Sequence, residues 1–239
     1  MKTQKVPSRE GFFEEIRQFA TPPMVASIAI VPSFRDMAAK SEQQRGLAVS
    51  CMTGFQAIKG GVHLAPTVGV LVGTQMIVQD RIEQALKEKV HASELSMKFM
   101  SSAVTGVSLS PIVAVFNGKT MGWEVRKSLQ KFSLKQAGVI SAQETAFVAG
   151  ISVADPLAVH MKERLGDNKV VDCAAAFISG AAGSLAGHPA NTALTRWQND
   201  LTVDSLRQLS WGSLRKARAV GVFSVVYKLG KDTLNPKAS

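Results

Sequence analysis

The sequence predicts an all-α protein with six transmembrane helices in three tandem helix-loop-helix repeats. Three observations carry this: windows free of charge and of spanning length, a basic excess confined to alternate connections, and three prolines at a near-constant period. With 46% apolar and 19% charged residues in 239, the chain is neither disordered nor low-complexity.

Helices one, two, three and five lie between Arg17 and Arg35, Lys59 and Asp80, Lys98 and Lys119, and Asp172 and Arg196, windows without any Asp, Glu, Lys or Arg. Each is close to the ~20 residues a helix needs to cross a hydrocarbon core of ~30 Å. The fourth, from Gln136 to Ala154, holds one charge, Glu144. The sixth, from Ala219 to Tyr227, is short and spans only if Arg218 and Lys228 snorkel to the two interfaces. Mean hydropathy is only +0.09, because these windows are built from small residues. The run from Gly180 to Gly187 is typical, and small residues let helices pack closely within a membrane. Cys51 and Cys173 are too few for a disulfide framework.

The net charge of +10 and pI near 9.8 point to an anionic partner or to a topology signal. If six helices cross, the connections 35–59, 119–135 and 196–218 share one side and carry 14 basic and 5 acidic residues. The other side, 80–98, 155–172 and both termini, carries 14 basic and 12 acidic residues. Nearly the whole excess falls on one face, the asymmetry that orients membrane proteins. Short amphipathic stretches such as 123–129 fit either the interface on that face or ordinary solvated connectors.

Pro32, Pro111 and Pro189 are separated by 79 and 78 residues, and each follows a small-residue stretch. This period marks a threefold repeat, approximately 18–90, 91–166 and 167–236, within a single membrane domain over residues 1–239. Each proline is expected to kink its helix without ending it.

No catalytic arrangement emerges. There is no hydrolase elbow, the four histidines have no metal spacing, and no cofactor is implied. Gly118-Lys119-Thr120 lacks the earlier glycine of a phosphate loop and falls at a helix end, so an enzyme is not expected. Tyr227 is the one tyrosine in a chain with 6% aromatics, which argues against nucleic acid as a partner.

The run from Phe177 to Gln198 resembles the odd-helix signature of the mitochondrial carrier family: proline, any, acidic, two of any, basic, any, Arg, any, Gln. Pro189, Arg196 and Gln198 match it. The signature's acidic place holds Phe34, Val113 and Asn191 in the three repeats, and its basic place Met37, Phe116 and Leu194. No gate ion pair remains, and the period is shorter than the family's own, so the chain resembles a divergent or degenerate carrier. Removing both members of each pair together leaves no unpaired charge in the membrane.

The resemblance implies exchange of a small metabolite across the mitochondrial inner membrane, in contact with the bilayer. Glu144 is the leading candidate for solute contact, since an ionisable group inside a span faces a cavity or a partner. Gln143 stands beside it, where the family often has Arg. His63 lies at the contact level of the second helix, and Arg215, Lys216 and Arg218 crowd that level on the sixth. This cluster fits an anionic metabolite or the phosphates of anionic phospholipid. Two competing readings are a transport-inactive pseudo-carrier serving as a membrane scaffold, and a soluble helical protein with a basic face.

Overall fold

The computed structural model describes residues 9–89 and 93–234. The expected ends of the first and third repeats, His91 and the first eight residues lie outside that range. Among the described residues every regular element is helical: α1 (Arg9–Gln44), α2 (Gly54–Lys89), α3 (Glu94–Thr120), α4 (Val125–Gln130), α5 (Leu134–Leu165), α6 (Lys169–Ala186), α7 (His188–Gln198), α8 (Leu206–Leu209) and α9 (Ser213–Leu234).

Polar side chains set several of the starts. Ser93, Ser133 and Asn168 cap α3, α5 and α6 by accepting from backbone N–H groups of the first turn. The helices outrun the windows between charges: α1 continues through Arg35, Asp36, Lys40 and Glu42 to Gln44. A charge-free window measures apolar length and not helix length, so residues assigned above to connections sit on helix ends.

Pro32 and Pro111 lie inside uninterrupted helices, as expected. Pro111 has no N–H for the Val107 carbonyl, and the Ser110 hydroxyl donates to that oxygen instead at 2.6 Å. The third repeat departs from the expectation. Its helix breaks at Gly187, and Pro189 occupies the first turn of α7, where a missing N–H costs nothing.

The long helices close into a ring. α1 packs on α2, α2 on α3, α3 on α5, α5 on α6, α6 on α9, and α9 back on α1, with α7 continuing α6 after the break. At one end the connections after α1, α3 and α7 meet: Lys131 pairs with Asp200, Asn199 Nδ2 donates to Met121 Sδ at 3.1 Å, and Trp211 packs by Gly46. These are the basic-rich connections. At the opposite end Arg17 Nε donates to the Leu234 carbonyl at 2.7 Å, and Lys162 bridges Asp167 and Asp172.

Close backbone approach explains the small residues. A Cβ on Gly150 of α5 would lie 2.5 Å from the Gly183 Cα of α6. Gly212 has φ +78°, outside the range of ordinary L side chains, and turns the chain into α9 directly against Lys40.

Large apolar side chains lie on the outside and several polar ones lie within, beside two buried apolar clusters. Apolar side chains such as Phe55 (76% exposed), Ile58, Val62 and Val70 project outward from α2, as do Val104 and Val107 from α3. Lys40, Gln44, Asn117, Thr195, Gln198 and Lys216 are buried in the centre. Water would favour the reverse arrangement; a hydrocarbon surround favours this one. The segments Gly54–Glu88, Leu95–Thr120 and Lys169–Ala186 are long and apolar enough to cross a membrane. α1, α5 and α9 are long but more polar, since they carry the charges that face inward or lie at the helix ends.

Gly150→Val should force α5 and α6 apart and lower stability by about 1–3 kcal/mol. Equilibrium unfolding in mixed micelles, compared with Gly138→Val at a position open enough for a side chain, checks this.

Candidate functional site

The halves of α1, α3 and α7 that follow the prolines converge at the basic-rich end, and hydrogen bonds join every pair of them. Ser41 of α1 and Thr120 of α3, 79 residues apart, share a bond of 2.9 Å. Asn117 of α3 donates to Thr195 Oγ1 at 3.1 Å and to Gln198 Oε1 at 2.6 Å, and Gln198 donates back to the Ala114 carbonyl at 3.0 Å. Between α7 and α1, Gln44 Nε2 donates to Thr192 Oγ1 at 2.8 Å, Lys40 Nζ donates to Asn191 Oδ1 at 2.9 Å, and Arg196 Nη1 donates to the Gln44 carbonyl at 3.0 Å. The triangle is closed, and most of its members are neutral.

Signature residues thus have structural tasks here. Arg196 is buried, donates to the Thr202 carbonyl at 2.7 Å and lies over the Trp211 ring. Beside it, the Thr202 hydroxyl and then the Gln208 amide hold the exposed Asp204 carboxyl below the ordinary carboxylate range. His188 Nε2 bonds the Trp211 carbonyl at 3.0 Å, so that nitrogen carries the proton and Nδ1 is left buried without a partner. Of the places where the family signature has gate charges, Val113 and Leu194 share one buried apolar cluster and Phe34 and Phe116 meet in another, while Asn191 is polar and accepts from Lys40 and Gln44.

Resting on this floor is a central cavity of about 240 Å³, reached by all six members of the ring. Its walls are mainly apolar, including Phe116, Phe147 and Phe223, with Gln143, Glu144, Lys40 and Lys216 as its strongest polar groups. Lys40 is 2% exposed and Lys216 7%. Lys216 interacts electrostatically with Glu144 and with Lys40. Among the described residues its ammonium has neither a hydrogen bond nor an ion-pair partner, and it faces the cavity. Glu144 receives one long hydrogen bond, from Gln143 Nε2 at 3.4 Å, while the Gln143 oxygen is buried and unpartnered.

Of the residues singled out in the sequence, Gln143, Glu144 and Lys216 come together here. His63 does not: it is exposed and lines an outer groove with Lys119 and Trp123. Arg215 and Arg218 also lie elsewhere. Arg218 Nε donates to Asp36 Oδ2 at 2.6 Å, Arg215 is 4.0 Å from the same carboxylate, and both border an open surface groove at the start of α9. The helical period separates them from Lys216, whose neighbours in sequence project to other faces. Sequence reasoning missed Lys40, Asn117 and Gln44. Their signal was the position six to twelve residues beyond each proline, where the helices continue. No family model matches this sequence, and no curated protein does.

Asn117→Leu should cost about 1–3 kcal/mol, because it strips partners from buried Thr195 and Gln198. Lys40→Met should cost less, since Asn191 Oδ1 keeps the Gln44 amide at 3.3 Å and a buried charge is removed. Unfolding in mixed micelles orders the two variants; the reverse order would falsify the view that neutral bonds hold the floor.

Proposed function

We propose that the chain is a divergent carrier of the mitochondrial carrier type, with six spans in three repeats, exchanging a small solute across the mitochondrial inner membrane. The solute binds in the central cavity through an anionic group. The observation that carries this reading is Lys216: a largely buried side chain at the centre of the ring whose ammonium faces the cavity and is engaged by no hydrogen bond or ion pair among the described residues. Glu144 offsets part of the cost of that charge at a distance, and the anionic group of a solute would supply the direct contact it lacks. The apolar exterior supports contact with a lipid bilayer. The open groove beside Arg215 and Arg218 suits the phosphate of an anionic phospholipid.

A specific feature favours the second reading, a transport-inactive pseudo-carrier that acts as a membrane scaffold. The floor under the cavity is closed by neutral hydrogen bonds and by packed apolar groups, with no ion pair at the places where the family signature has charges. Exchange assays on purified protein in liposomes separate the two. Under the carrier reading the protein takes up a small carboxylate-bearing solute, and Lys216→Met reduces uptake by about tenfold or more, having lost an interaction worth at least ~1.4 kcal/mol. Folded protein that moves none of a broad metabolite panel supports the scaffold instead.

The native cysteines test the spans. Cys51 follows α1 at the basic-rich end, and Cys173 lies early in α6 at the other. In sealed vesicles an impermeant maleimide should label either cysteine of a given molecule but not both, whatever the insertion direction. Doubly labelled protein should appear by intact mass spectrometry only after detergent is added; its appearance in sealed vesicles rejects the six-span topology.

A further inference from the structure

We propose that Phe55, Leu134 and Leu214 form a threefold ring of apolar anchors at the basic-rich end, inserted at the boundary between headgroups and acyl chains, and that this ring fixes the depth of the bundle in the bilayer. The proposal rests on the reading of the bundle as membrane-embedded and names the side chains that meet the lipid surface at one end.

The three side chains occupy one position of the repeat. They are 79 and 80 residues apart, close to the spacing of the prolines, and each lies in the first turn of a helix that follows a basic-rich connection, on α2, α5 and α9. Phe55 is 76% exposed, Leu134 89% and Leu214 80%, among the most exposed large apolar side chains of the described residues. An apolar medium is the natural cover for such groups. Which medium covers them follows from their distribution. α2, α5 and α9 are alternate members of the six-helix ring, so the three lie around its whole circumference. A protein partner seated on one side of the bundle reaches one or two of them, whereas the surrounding leaflet of a bilayer reaches all three.

Neighbouring chemistry agrees with a lipid surface. Lys59, Lys135 and Arg215 follow the anchors within four residues, placed for the phosphate layer. All three tryptophans of the chain, Trp123, Trp197 and Trp211, are half-buried at this end, and indole rings favour that layer. Leu206 of α8, 85% exposed, and Leu129 of α4 extend the apolar surface along the short amphipathic helices. Depth follows from the helix rise. The anchors precede the windows that begin at Gly60, Gln136 and Ala219 by five, two and five residues. At ~1.5 Å per residue this is about 3–7.5 Å, comparable to the ~5–7 Å that headgroups add on each side of a ~30 Å core. Gly212, two residues before Leu214, packs against Lys40, so the polar floor lies level with the ring on the α9 side, near the membrane surface.

The test is photolabelling of the full-length wild-type protein in vesicles of phosphatidylcholine and phosphatidylglycerol. The vesicles carry a phospholipid with a diazirine either beside the glycerol or at the end of an acyl chain, and adducts are located by peptide mass spectrometry. The glycerol-level probe should label Phe55, Leu134 and Leu214 several-fold more than the chain-end probe does. Val70 and Val107, which face outward near the middle of their windows, should show the opposite preference. Label at Val70 and Val107 with none at the three anchors overturns the ring and leaves the membrane reading in place. Label at only one or two of the anchors assigns the rest to protein contact and overturns the ring in the same way. Anchors that prefer the chain-end probe overturn the depth assignment. Absence of label at all five positions in folded protein overturns both the ring and the membrane reading.

Discussion

Three helix ends must meet at one end of the ring for the central cavity to have a floor, and they meet through side-chain amides and hydroxyls. Asn117, Gln198 and Thr195 tie α3 to α7, Gln44 and Lys40 tie α7 to α1, and Ser41 with Thr120 ties α1 to α3. The ring position of every other helix follows, since α2, α5 and α9 fill the gaps between the tied helices. The tied ends also fix the depth of the cavity. Lys40 belongs to both layers: its stem and ammonium border the cavity, while its hydrogen bond goes to the floor. Any ligand group that attracts Lys40 upward acts against the Asn191 bond, so occupancy of the cavity and integrity of the floor are physically linked.

Much of this was legible in the sequence, because it follows from composition at fixed spacing. Glycine and alanine runs announced close packing, and Gly150 against Gly183 is that packing. The proline spacing placed Ser41 and Thr120 one period apart and they meet, although the third helix breaks at Gly187 where the first two run on. The sorting of charge between alternate connections also corresponds to two physical ends of the bundle. Among the site residues, Glu144 was found because a charge within an apolar window stands out, and Gln143 because it stands beside it where the resembled family often has Arg.

What remained hidden had a common cause: side-chain direction on a helix changes by about 100° per residue. Arg215, Lys216 and Arg218 are one cluster in sequence and two environments in space, with Lys216 in the cavity and the arginines on Asp36. Lys40 was hidden for a different reason. The spacing of charges suggested that helix one ended near Arg35, so Lys40 was counted among connection charges although α1 runs on to Gln44. The asparagine and glutamine members of the floor had no distinguishing composition at all. Their importance is a property of three helices meeting, which no single segment of sequence contains.

A floor made of neutral groups has different energetics from one made of ion pairs. Separating a buried ion pair exposes two charges whose hydration offsets their lost attraction only with good water access, so its balance depends on how wet the opening is. Separating an amide from a hydroxyl at a water-filled end exchanges one hydrogen bond for others of similar strength, with a net difference of roughly 0.5–1.5 kcal/mol per bond. The bonds of the triangle therefore favour closure cumulatively without any one of them being decisive. Such a floor is nearly insensitive to salt, because screening acts on charges and the triangle contains few. Its arginine is anchored to backbone carbonyls of Gln44 and Thr202. A floor of this kind thus stays closed without ion pairs, and each of its bonds can be exchanged singly for one to water at an open end.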